Sequence, residues 1–143
     1  MVNESRIDIY DYLYNLFYDV VTKNVYSMET PQELTQSDTQ DGFIVLHVGD
    51  LNDESEFAHQ TYGWARCFVE AFIPPISRGR LDYDKYREFE DAITEVIHLA
   101  SDEVVDGYSV QEGSVLSMDG AETTNANNTY FTFIKSFIVN INS

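Results

Sequence analysis

The chain has 143 residues, 43% of them hydrophobic and 14% aromatic, and carries 25 Asp and Glu against 8 Lys and Arg, a formal net charge of -17. This composition predicts one folded domain spanning residues 1–143 and excludes a disordered chain. The negative charge argues against a protein that binds DNA or RNA, because such binding depends on Lys and Arg side chains that displace counterions from the phosphates.

The sequence also lacks the features of a membrane or exported protein. It has no run of about 18 apolar residues that would cross a bilayer, and its first residues lack the basic start and apolar centre of a signal peptide. We therefore expect no membrane partner and no export. The single cysteine, Cys67, permits no internal disulfide and fits a reducing compartment.

The first predicted element is an amphipathic helix from Ser5 to about Thr22, with apolar residues at steps of three and four. Residues 26–41 are rich in Ser, Thr and Gln with little periodicity, which predicts a connector loop. The apolar run from Phe43 to Val48 lies between two Gly-bearing turns. Such a run predicts a strand that is buried on both faces.

A second strand is predicted in the stretch TYGWARCFVEAFIPP, where it ends at Pro74. Alternate residues give this strand two different faces. One face is small and apolar, and it suits a closely packed helix. The other face is too apolar to be left in water; it comprises Tyr62, Trp64, Arg66, Phe68, Glu70 and Phe72.

The second half of the chain predicts a long helix and a terminal hairpin. Asp82 caps a helix over residues 81–106, which Gly107 closes. A weaker strand follows, then a mobile loop at residues 119–128, and a final strand over residues 129–143 that is rich in aromatic and β-branched residues. The expected fold is α+β in the order α, β, β, α, β, β, with a mainly antiparallel sheet and two helices on one face.

No motif for catalysis, phosphate binding or metal binding occurs in the sequence. Pairing the first two strands across the acidic hairpin puts Val48 near Tyr62 and His47 near Gly63, so His47 lies about 13 Å from Cys67. We therefore expect a buried structural cysteine rather than a nucleophile. The acidic stretch from Asp50 lacks the Gly and the final Glu of a calcium loop. These observations predict no catalytic residue, no metal site and no cofactor.

The one feature of the sequence that points to a contact surface is a cluster of four basic residues, which we call the basic island. It comprises Arg78, Arg80, Lys85 and Arg87. Two interpretations stay open. Either the island docks on an acidic patch of another copy or another protein, or Lys85 and Arg87 only face solvent and pair with Glu88, Glu90 or Asp91. The aromatic strand face has two similar interpretations, because either the connector loop or a second subunit covers it.

The element order and the charge together resemble the tail-terminator and tail-completion proteins of tailed bacteriophages. The resemblance implies a non-enzymatic virion protein, assembled in the host cytoplasm, that forms a six- or twelve-fold ring at the head–tail neck or the tail. It implies connector, portal-side or tail-tube proteins as neighbours, with DNA passing through the ring without specific binding.

The resemblance also suggests where the contacts lie. The expected subunit interface comprises Arg78, Arg80, Lys85, Arg87, Trp64, Phe68 and Phe72. The expected partner-facing loops carry Asp50, Asp53, Glu54, Glu56, Asn125, Asn127 and Asn128. The alternative function is a small acidic cytosolic binding module, such as an immunity or inhibitor protein that masks a basic partner. An enzyme with a pocket over the aromatic face has the least support.

Overall fold

The computed structural model describes residues 6–29, 35–53, 62–125 and 128–142. The helices are α1 (Arg6–Phe17), α2 (Gln36–Asp41) and α3 (Tyr83–Ser101). The strands are β1 (Val25–Ser27), β2 (Phe43–Val48), β3 (Asn52–Asp53), β4 (Tyr62–Ile73), β5 (Tyr108–Val110), β6 (Leu116–Asn125) and β7 (Asn128–Asn142). A single 3-10 turn at Ser77–Gly79 precedes α3.

The strands form one sheet in the order β1-β2-β4-β7-β5, with β3 added to β4 and β6 added to β7. Only the short β1–β2 pair is parallel among the described strand pairs. The predicted α+β class with a mainly antiparallel sheet is therefore confirmed. The strand β7 lies inside this sheet, because it pairs along the full length of β4.

The main core lies between one face of the sheet and the helices α1 and α3. The small residues of β4 face this core as predicted, and Ala65, Cys67 and Val69 are completely buried there. Their small side chains let Leu13 of α1 and Ile93 of α3 approach the sheet. We call this side of the sheet the helix face and the opposite side the outer face.

Lys135 is a charged residue on the helix face of β7, and α3 supplies a partner for it. Its ammonium group lies 3.5 Å from a carboxylate oxygen of Glu90 and donates a 2.8 Å hydrogen bond to the Ser117 hydroxyl. The side chain is only 8% exposed, so both partners compensate for lost hydration.

The register of β2 against β4 corrects the sequence prediction. Val48 pairs with Cys67 and His47 with Phe68, five residues further along β4 than expected. A shift by an odd number of residues turns every side chain of β2 to the other face. The observed register buries Ile44, Leu46 and Val48 under the helices and leaves His47 on the outer face.

Other boundaries also differ from the prediction. The first helix ends at Phe17, and Asp19 then has a φ of 59°. Asp82 caps the long helix by accepting a hydrogen bond from the amide of Lys85, as predicted, but this helix ends at Ser101. Residues 119–125, expected in a mobile loop, continue β6 and pair with β7 across a register shift. Among the described helices, none is long and apolar enough to span a membrane.

Candidate subunit interface

One half of the outer face is closed by the chain's own connector. Residues 26–41 were expected to lack secondary structure, but they contain most of β1 and all of α2. Tyr26 packs edge-on against Phe43, and Phe43 stacks on Phe72 with ring centroids 4.5 Å apart. Tyr130 completes a second apolar cluster with these rings, whose buried members are at most 3% exposed. The connector therefore acts as a cover.

A buried carboxylate holds this cover in place. Asp38 is 0% exposed, and its two carboxylate oxygens lie 2.8 and 2.9 Å from the Tyr26 hydroxyl, which donates to them. The Thr35 amide donates to the same carboxylate at 2.9 Å, and the Thr35 hydroxyl accepts from the Asp38 amide, which completes a capping box. Sequence reasoning missed Asp38, although the Thr35–Asp38 spacing is a signal for a helix start.

The burial of Phe72 removes it from the expected subunit interface. Its ring is 3% exposed within its own chain, so it has almost no surface left for a second subunit. Of the two interpretations left open for the aromatic strand face, cover by the connector holds at Phe72. Burial also raises the pKa of the Tyr26 hydroxyl to about 12, with a contribution from its hydrogen bond to Asp38.

The other half of the outer face is not sealed in this way. Trp64 and Phe68 remain partly exposed, and Phe68 lies in register with Ser136 of β7. Cross-strand partners share a face, so β7 and β6 extend this surface with Ile134, Ile138, Leu116 and Met118. Leu116 and Met118 are each 58% exposed. We call these six residues the open patch.

Polar groups lie among the apolar residues of the open patch. The Arg66 guanidinium donates a 2.7 Å hydrogen bond to the Ser136 hydroxyl. His47 Nε2 lies 3.6 Å from a carboxylate oxygen of Glu70. Sequence reasoning identified Trp64 and Phe68 but missed the β6 contribution, because Leu116 and Met118 gain their position only from the β6–β7 register.

The three arginines of the basic island are exposed and Lys85 is partly exposed, and none of the four lies on a strand that forms the open patch. Arg78 and Arg80 lie in the loop after β4, which is closed by a 2.8 Å hydrogen bond from the Ile76 amide to the Arg80 carbonyl. Both side chains are exposed, and neither forms an ion pair with a described residue. Lys85 instead donates to the Gln40 carbonyl at 3.2 Å, and Arg87 is exposed on α3.

The expected partner-facing loops fall partly outside the described residues. Asp50 is exposed beside β3, and Asp53 pairs with Gly63 in the sheet. Asn125 and Asn128 pair with each other where β6 meets β7. Glu54, Glu56 and Asn127 lie outside the described residues.

Cys67 and His47 lie on opposite faces of the sheet, because Cys67 pairs with Val48 and His47 pairs with Phe68. Cys67 is 0% exposed and packs in the main core, which confirms the predicted burial. This burial raises the pKa of its thiol to about 12, and only Arg66 acts in the opposite direction. A thiol with that pKa stays protonated near neutral pH and is a poor nucleophile.

No group of three or more His, Cys, Asp or Glu side chains with the geometry of a metal site occurs among the described residues. An acidic depression lies between α1 and the turn before β5, on the helix side of the molecule. The residues around it include Asp8, Asp11 and Asp106.

Comparisons with known proteins identify a fold but no family. No protein-family model matches the chain, and no curated protein matches it. Nineteen chains of solved structures match. One of them, a protein without a descriptive name, is 17% identical over 97% of this chain and 96% of its own, with a TM-score of 0.50. This likeness supports the overall fold alone, and the chain is similar to that protein in architecture.

Proposed function

We propose that this protein is a non-enzymatic structural subunit that forms a ring at the head–tail neck or in the tail of a tailed bacteriophage. The observation that carries this proposal is the uneven cover of the outer face. The same chain seals Phe43 and Phe72 to 3% exposure or less, yet leaves an adjacent apolar surface partly exposed. A second copy of the chain is the occupant we assign to that surface.

The open patch has the properties of a subunit contact. Apolar surface of this kind, interrupted by satisfied polar groups, is typical of interfaces between proteins. It is also continuous with the outer edge of β6, a strand of 10 residues that pairs only with β7 among the described strands. A long edge strand with exposed Leu116 and Met118 is available for pairing with another chain.

The acidic surface fits a ring through which DNA passes. A net charge of -17 repels phosphate, so a lumen lined by such subunits does not retard the polymer. The α+β fold and the terminal hairpin agree with the architecture that gave the resemblance to tail-terminator and tail-completion proteins. The neighbours we propose are the connector, portal-side or tail-tube proteins that such a ring contacts.

The single tryptophan allows a direct test. Trp64 belongs to the open patch, so association that covers the patch should shift its fluorescence emission to shorter wavelength as concentration rises, in step with the mass measured by light scattering. We expect Phe68→Thr to weaken association about tenfold or more, because it removes a central aromatic contact. Tyr83→Thr is the matched control, since Tyr83 is 71% exposed on α3 and lies outside the patch.

Two results would contradict the ring. One is a strict monomer at high concentration, alone and with purified tails. The other is association that leaves Trp64 emission unchanged and is insensitive to Phe68→Thr.

The second candidate function is an acidic binding module that masks a basic partner, and the net charge of -17 favours it. Such a module remains monomeric by itself and binds a defined basic protein with an affinity that falls steeply as salt rises. The same light-scattering series separates the two functions, because only the ring requires association of the isolated chain.

A further inference from the structure

The segments that flank α3 differ in charge, although the helix itself begins with the acidic residues Asp82 and Asp84. Before its first residue lies the loop of residues 76–80, which exposes Arg78 and Arg80 and contains no carboxylate. Beyond its last residue, Asp102 and Glu103 are exposed. The 19 residues of the helix separate these ends by about 28 Å. The backbone dipole adds partial positive charge at the first end and partial negative charge at the second.

The loop of residues 76–80, which we call the arginine loop, has a defined shape. The Ile76 amide donates to the Arg80 carbonyl, and the Gly79 amide donates to the Ile76 carbonyl at 3.1 Å. Arg78 and Gly79 both have positive φ values, 65° and 70°. These bonds hold the backbone in a tight turn, so the two guanidinium groups are presented to solvent from a fixed base.

The acidic depression at the other end is a cavity of about 480 Å³, within the range of roughly 300–1,000 Å³ found for binding pockets. Asp8, Asp11 and Asp106 supply its carboxylates, and Asn15 adds an amide. Within the described part of the chain, Asp11 and Asp106 form no ion pair. A cationic group matches this lining.

Tyr12 forms part of the cavity wall beside these carboxylates. It is only 7% exposed, and its hydroxyl has no hydrogen-bond partner among the described residues. This hydroxyl has almost no accessible surface, so a group bound in the cavity meets the side of the Tyr12 ring. A guanidinium carries five N–H donors in one plane, so one group can contact two carboxylates of the cavity and also stack on a ring.

The sheet fixes where this cavity lies relative to the arginine loop. Tyr108, which lines the cavity, is in register with Ile141, and Ile141 is in register with Gly63 at the start of β4. The arginine loop follows the other end of β4, after Ile73. The cavity therefore lies at the same end of the sheet as Trp64, and the arginine loop lies at the opposite end.

We propose that the arginine loop of one copy binds in the acidic cavity of the next copy. This inference rests on the proposed function, and it names the two unlike surfaces that meet. A contact between unlike surfaces at opposite ends is heterologous, and it closes into a ring when the rotation between copies allows. Arg78 and Arg80 supply the charge, and the Asp11 and Asp106 carboxylates receive it.

Charge-altered variants of the full chain test this pairing. The loop variant combines Arg78→Asp with Arg80→Glu; Asp suits position 78 because it tolerates positive φ better than Glu. The cavity variant combines Asp11→Lys with Asp106→Asn, and Asn likewise tolerates the φ of 53° at position 106. Lys23→Glu and Asp91→Lys are the controls, because both side chains are exposed and lie outside both surfaces. Circular dichroism verifies the fold of each variant.

We expect each double variant to lose self-association by about tenfold or more, and the controls to associate like the wild type. An equimolar mixture of the loop variant and the cavity variant should regain association, because it unites an intact cavity with an intact loop. Sedimentation velocity measures the wild type, the two double variants, the two controls and the mixture.

The outcomes separate this pairing from the proposed function. If the wild type associates and both folded double variants associate equally well, the pairing is wrong and the ring survives. If each variant is monomeric but the mixture also stays monomeric, the pairing is wrong as well. A wild type that is monomeric at every concentration removes both proposals.

Discussion

The hydrogen bond between Tyr26 and Asp38 should account for a large part of the stability of the connector cover. Tyr26→Phe removes one bond to a charged acceptor, which contributes about 1.5–3 kcal/mol. Asp38→Ala removes this bond and the bond from the Thr35 amide, so we expect a loss of about 2–4 kcal/mol in the free energy of unfolding.

The double variant makes this prediction specific. Both single changes remove the same Tyr26–Asp38 bond, so the combined loss should be smaller than the sum by about 1–2 kcal/mol. Urea unfolding at a concentration where the protein is monomeric measures each variant. Tyr83→Phe is the control, because that tyrosine is 71% exposed, and we expect no change.

Losses that add to within about 0.3 kcal/mol would refute this reasoning, because residues that share a bond are coupled.

A second consequence concerns the outer face. Opening the cover exposes Phe43 and Phe72, so Asp38→Ala should bind more of a hydrophobic dye such as ANS than the Tyr83→Phe control does.

Three further predictions follow from buried groups. Cys67 should react with a thiol reagent only in denaturant, since burial raises its pKa to about 12; rapid labelling of the native protein would contradict this. Burial raises the pKa of Tyr12 from 10.0 to about 12, so the folded state favours the neutral phenol, and stability present below pH 10 should fall between pH 10 and 12. Tyr12→Phe should reduce this fall, measured as the change of the denaturation midpoint with pH. Midpoints that fall as steeply with pH as those of the wild type would argue against assigning this pH dependence to Tyr12. Gly42→Ala should lower the free energy of unfolding by about 2–4 kcal/mol, because a Cβ at position 42 meets the Phe72 carbonyl oxygen at 2.6 Å. Gly113 also has a positive φ but has open space around it, so Gly113→Ala should lower the free energy of unfolding by only about 1 kcal/mol. Equal losses in the two variants would count against the steric argument.

The sequence alone determined the elements that carry a long periodic pattern. The alternation of small and aromatic residues over residues 62–73 identified β4 and its two unlike faces. The apolar residues at helical spacing after the Asp82 cap identified α3. The strand β7 followed from its aromatic and β-branched composition. Among the expected interface residues, Trp64 and Phe68 are partly exposed and Arg78, Arg80 and Arg87 are exposed; their role in an interface stays a prediction.

Tertiary structure decided the features whose signal is short or distant in sequence. The register of β2 against β4 is free in the sequence because the connection between them is long, and burial of Ile44 and Leu46 under the helices fixes it. β1 and α2 are too short to show periodicity, so their positions depend on the Tyr26–Asp38 bond and on packing over Phe72. The division of the outer face into a sealed half and an open patch therefore follows from contacts between residues far apart in the chain, which no local pattern encodes.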